Sequence, residues 1–122
     1  METYEVLEKA LGRITPENWH NGTKVYDTKD GNKCLCVGGH LMAALGEREG
    51  WFDMSSSPAA AALALAMSGD AGRIPGGVIA KFNTGASFEE ITSALKAAIR
   101  SEKAKAGVLV EVPAEVPEEI AA

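Results

Sequence analysis

Apolar positions recur at helical spacing along most of this chain. Val6, Leu7, Ala10, Leu11 and Ile14 share one face of a helix, with Thr3 placed as its N-cap and Glu5 in its first turn. Ile14-Thr15-Pro16-Glu17 breaks that pattern. Thr15 is placed to cap one short turn with Pro16 at its first position, and Trp19 follows as a core anchor. Leu41, Met42 and Leu45 predict a second helix from about Val37 to Leu45, with Gly46 as its stop. Ser57-Pro58 starts another, and Ala59 to Met67 within it are apolar on every face. A helix of that kind is buried on all sides or lies in an oligomer contact. Pro75 begins a short helix through Phe82. Ser87-Phe88-Glu89-Glu90 reads as a capping box, Ser87 being the N-cap and Glu90 reaching back to it. Phe88, Ile91, Leu95, Ala98 and Ile99 form the stripe of that last helix. Arg100, Lys103 and Lys105 crowd its C-terminal end, where the dipole favours cations, and Gly107 ends it.

The segments between the helices are polar and turn-rich. Thr23–Tyr26 and Lys33–Cys36 flank the Asp30-Gly31 turn and predict a short β-hairpin packed on a helix. Glu47 to Ser56 reads as a loop that carries Trp51 and Phe52 as a lid over the core or as part of an interface. From Val108 to Ala122 valines alternate with glutamates, and Pro113 and Pro117 forbid a regular helix. The fold class expected is mainly α, a compact bundle of about four to five helices with a small β-hairpin before the cysteine-led helix. Residues 1–107 make the helical domain, and 108–122 an acidic Val/Glu/Pro tail.

Composition narrows the function classes. A chain of 122 residues that is 46% hydrophobic is one globular domain. A net charge of −5 argues against nucleic acid and against an anionic membrane surface as partners. The longest apolar run, Pro58 to Met67, is too short to span a bilayer, and no stretch reads as a signal peptide. The two cysteines lie one residue apart, a poor disulfide pair, so a reducing cytoplasm is expected.

Chemistry concentrates in Cys34-Leu35-Cys36-Val37-Gly38-Gly39-His40, which admits three readings. As a metal site, Cys34, Cys36 and His40 with His20 would make a Cys2His2 set for tetrahedral zinc. The single residue between the cysteines is shorter than zinc knuckles use. As a catalytic site, Cys36 at a helix N-terminus would have a lowered thiol pKa, with His40 one turn on as its base. A third group to orient the base is not placed by the sequence; Asp27, Asp30 and Asn83 are the candidates. As a packing device, the cysteines act as small apolar side chains. Gly38 and Gly39 then sit where another backbone comes close, offsetting a propensity cost of about 1 kcal/mol each. His40 would be half-buried and hydrogen-bonded to a nearby loop, so that His40→Ala is mild while Cys36→Ser or Gly39→Val damages the fold. This third reading is preferred: no metal, no catalytic residue and no cofactor, with Trp19, Cys34, Cys36, Gly39, Phe82, Asn83, Ser87 and Glu90 as structural positions.

Three segments also carry a resemblance. They are Trp19-His20-Asn21-Gly22, then Cys34 to Leu41 with Ala43-Ala44 behind it, then Ile79-Ala80-Lys81-Phe82-Asn83 before a capped Phe-Glu-Glu-Ile helix. Their order resembles a family of small uncharacterised proteins of actinobacteria and their bacteriophages. That family shows Trp-x-x-Gly, Cys-aromatic-Cys-x-x-Gly-Ala-Leu and Trp-Asn-Asp segments. Here Leu35 replaces the aromatic, His40 a small residue, and Phe82-Asn83-Thr84 the Trp-Asn-Asp. The resemblance spans roughly Met1 to Arg100 and implies a mainly helical accessory protein with no assigned activity. The function expected is a non-enzymatic protein-binding or self-associating module, phage-encoded and host-directed if the resemblance extends that far. Its partner is a protein or a second copy as a homodimer, met through Trp51, Phe52, Val110, Val112 and Val116. The alternative is a small thiol enzyme or zinc protein centred on Cys36 and His40.

Overall fold

The computed structural model describes residues 2–21, 36–46 and 51–108, with Trp51 and Phe52 described by backbone alone. The described residues form six helices: α1 (Thr3–Arg13), α2 (Val37–Leu45), α3 (Trp51–Ser55), α4 (Pro58–Ser68), α5 (Pro75–Asn83) and α6 (Phe88–Lys105). α1 packs on α2, α4 and α6; α4 packs on α5 and α6; α5 closes over α2 and α3. One apolar core joins them, with Leu7, Leu41, Met54, Leu63, Ile79, Ile91 and Leu95 fully buried. No described helix is long and apolar enough to cross a membrane.

Helix starts follow from local chemistry. Ser57 Oγ accepts the Ala60 N–H at 3.1 Å, with Pro58 at the first helical position. At α6 the Ser87 hydroxyl accepts the Glu90 N–H at 3.1 Å, and Glu90 Oε1 accepts the Ser87 N–H at 2.8 Å. α1 begins one residue earlier than its sequence suggested. Glu2 is the N-cap, and its N–H donates to Glu5 Oε1 at 2.7 Å. α6 ends in a Schellman turn. Gly107 takes φ +76°, and the Val108 N–H bonds Lys103 O at 2.9 Å.

The expected β-hairpin is a correction. The described residues contain helices and no strand. Cys36, placed at the end of the second arm, is instead the N-cap of α2. The chain just before the first arm bonds to the end of α5, where the Gly85 N–H donates to Asn21 O at 3.2 Å. Asn21 O and the Cys36 backbone thus serve helix ends. The hairpin's remaining residues, 23–26 and 33–35, lie outside the described residues, as do Cys34 and the tail from residue 109.

Two further expectations change. The stretch read as a loop over 47–56 contains the single-turn helix α3. Of the two environments expected for α4, enclosure within one chain does not hold: Ala59, Ala60, Leu63 and Ala64 are buried, whereas Leu65 is 45% exposed.

Candidate functional site

The N-terminus of α2 is where the chemistry-bearing residues converge. Cys36 holds an extended backbone as N-cap, but its side chain makes no capping bond. The first amide of the helix is satisfied from elsewhere. Asn83, the last residue of α5, is fully buried, and its Oδ1 accepts the Val37 N–H at 3.0 Å. The same oxygen accepts Trp19 Nε1–H at 2.8 Å, while Asn83 Nδ2 donates to His20 O at 3.1 Å. One side-chain amide therefore ties three segments that are distant in sequence. They are the segments whose residues carry the family resemblance: Trp19–Asn21, the cysteine-led helix and Phe82-Asn83.

His40 lies one turn into α2 and is 0% exposed, where the sequence suggested half-burial. Both ring nitrogens are engaged. Arg13 Nε donates to Nδ1 at 3.1 Å, and Nε2 meets Asn18 O at 2.9 Å. Because the guanidinium can only donate, Nδ1 is the acceptor and Nε2 carries the proton. Burial lowers the ring pKa to about 4. The bond to Asn18 O opposes that shift, and the charges of Arg13 and His20 add to it. Asn18 is itself held by a local turn. Its N–H bonds Thr15 Oγ1 at 3.2 Å, Thr15 N–H bonds its Oδ1 at 2.8 Å, and its Nδ2 donates to Arg13 O at 2.7 Å.

Cys36 is 2% exposed. Burial pushes its thiol pKa up, and the nearby Gly38 and Gly39 amides pull it down only in part. The arrangement is thus a neutral imidazole with no free nitrogen beside a thiol that holds its proton. A base that is to activate a thiol needs an open lone pair toward sulfur, and His40 spends its lone pair on Arg13. Among the described residues, no three His, Cys, Asp or Glu side chains gather to hold a metal ion; Cys34 lies outside that set.

Other residues singled out in the sequence sit apart. Phe82 is partly buried and lines grooves beside α4 and α6. The aromatic that meets Trp19 is Phe88, with ring centroids 5.9 Å apart in an edge contact. In the sequence Arg13 and Asn18 have only ordinary local roles as helix end and turn, and Phe88 only its place in the apolar stripe of the last helix. A faint signal existed for Asn18, since Thr15-Pro16-x-Asn18 is a turn with a second polar side chain at reciprocal spacing.

A model of a family of unknown function, DUF6197, matches residues 1–101. No curated protein matches the chain, and no solved structure does.

Proposed function

The chain belongs to DUF6197, a family of unknown function, and we propose that it is a non-enzymatic protein-binding or self-associating module. The observation that carries this reading is the surface of the α4–α5 hairpin. Leu65 is 45% exposed and Ile74 62% exposed. The chain from the end of α4 into α5 lines a groove of about 500 Å³ with Ser68, Asp70, Gly72, Val78, Lys81 and Phe82. Apolar side chains left in water around a concave surface favour a protein partner. The engaged imidazole of His40 and the protonated thiol of Cys36 support the non-enzymatic half. The resemblance to bacteriophage proteins extends the proposal to a host-directed role.

The test is the double variant Leu65→Asp/Ile74→Asp against the parent chain. Both positions are exposed, so the fold should survive, as circular dichroism would verify. Light scattering and affinity capture from an actinobacterial lysate should show the parent alone dimerising or retaining a defined protein. A parent that is monomeric and captures nothing, or a variant that behaves identically, overturns the reading. Rapid alkylation of Cys36 near neutral pH would move it to the thiol-enzyme alternative.

A further inference from the structure

A second concave surface lies between α1 and α6, on the opposite flank of α6 from Phe82. It is a groove of about 330 Å³. Leu11 and Ile99 contribute its apolar lining, and Gly12 leaves it open: a Cβ built there meets nothing within 4 Å. Lys96 and Arg100 line it as exposed cations that form no ion pair among the described residues. At one end Lys103 bonds Glu8 at 2.7 Å and lies 5.9 Å over the Tyr4 ring, linking the two helices. Glu8, the acidic group of the lining, is thereby neutralised.

The Lys103 end of this groove is also where the described chain stops. The Schellman turn at Gly107 brings the Val108 N–H back onto Lys103 O at 2.9 Å. Residues 109–122 then carry Glu111, Glu115, Glu118 and Glu119 with no Lys, Arg or His, and interleave Val110, Val112 and Val116. We propose that this acidic tail docks in cis along the α1–α6 groove, its glutamates toward Lys96 and Arg100 and its valines toward Leu11 and Ile99.

Charge and reach both favour this occupant. The segment supplies carboxylates to set against Lys96 and Arg100, and apolar side chains that the groove's lining can cover. From Lys103 back to Lys96 the helix rises about 10 Å, while extended chain covers about 3.3 Å per residue. Residues 109–115 therefore reach the far end without strain. The pairs are exposed, so the docked state should be weak and sensitive to salt. It stands independently of the α4–α5 reading, which involves neither helix face.

The experiment uses the full chain, labelled for NMR. Heteronuclear NOE values of tail amides report order on the nanosecond scale. In the parent at low salt, amides over 109–116 should show values approaching those of the helices, and added salt should lower them. Lys96→Glu/Arg100→Glu removes the cations, and Gly12→Leu fills the groove while favouring the helix; each should release the tail. Arg73→Glu/Lys81→Glu makes the same change in net charge elsewhere and should leave it ordered. A tail without order in the parent overturns the proposal, as does order that survives both groove variants. Order that disappears on dilution assigns the groove to a second copy's tail and overturns docking in cis.

Discussion

Asn83 has the widest reach of any single residue described here. Its amide accepts the first N–H of α2 and the indole N–H of Trp19, and donates to His20 O. Asn83→Ala would leave those groups without their partner in a buried place, where each unsatisfied group costs about 1–3 kcal/mol. Partial solvation on the Trp19 side tempers the sum, so the expected loss is about 3 kcal/mol. Urea unfolding followed by tryptophan fluorescence measures it; a loss below about 1 kcal/mol would mean that water replaces the amide at little cost. Trp19 and Asn83 were visible in the sequence as residues, through aromatic character and an aromatic-Asn segment. Their meeting was not visible, because they lie 64 positions apart and no periodicity relates them. The same holds for Arg13 and His40, which lie 27 positions apart.

Helices were legible where they announce their own ends. Pro58 and Pro75 at first positions, Ser87 with Glu90, and Gly46 and Gly107 beyond the last turns are local devices, and the observed limits follow them. α3 has five residues and no room for a periodic stripe, so it read as loop. Its placement depends on α5. A Cβ on Gly76 would overlap Ser55 Oγ and lie 2.9 Å from Ser55 Cα, so the two helices touch through a missing side chain. The Ser55 hydroxyl is buried there with no hydrogen-bond partner among the described residues. Opposite outcomes follow for two small substitutions. Ser55→Ala removes an unpaired hydroxyl and should raise stability by about 1 kcal/mol. Gly76→Ala gains helix propensity but must displace α3 backbone, and should lower stability by about 2 kcal/mol. Thermal unfolding of both variants checks the pair; a stabilising Gly76→Ala would show that α3 moves away freely.

At the scale of the molecule, the bond from Arg13, an exposed residue, to the buried ring of His40 makes the closure of α1 against α2 depend on proton concentration. Nδ1 must stay unprotonated to accept from the guanidinium. In the unfolded chain the ring titrates near its ordinary value of 6.5, and in the folded chain near 4. Between those values the unfolded state holds the extra proton, so stability rises with pH. The contribution is complete above pH 6.5, is lost as pH falls toward 4, and changes no further below that. Its size is about 3 kcal/mol, from roughly 1.4 kcal/mol per pKa unit. Carboxylates also titrate below pH 5 and would blur the effect in the parent alone. His40→Gln supplies the reference, since its amide oxygen can accept from Arg13 and its nitrogen donate to Asn18 O without titrating. The parent should be the more stable protein at pH 8, and the difference should shrink or reverse by pH 4.5 in urea midpoints. His40→Ala, expected to be mild from the sequence, should instead lose about 2–4 kcal/mol at pH 8, because it empties the volume of a fully buried ring and removes its two part-buried hydrogen bonds. Parallel stability curves for parent and His40→Gln would show that His40 binds its proton equally well in the folded and unfolded chain, and that its link between α1 and α2 is not pH-dependent.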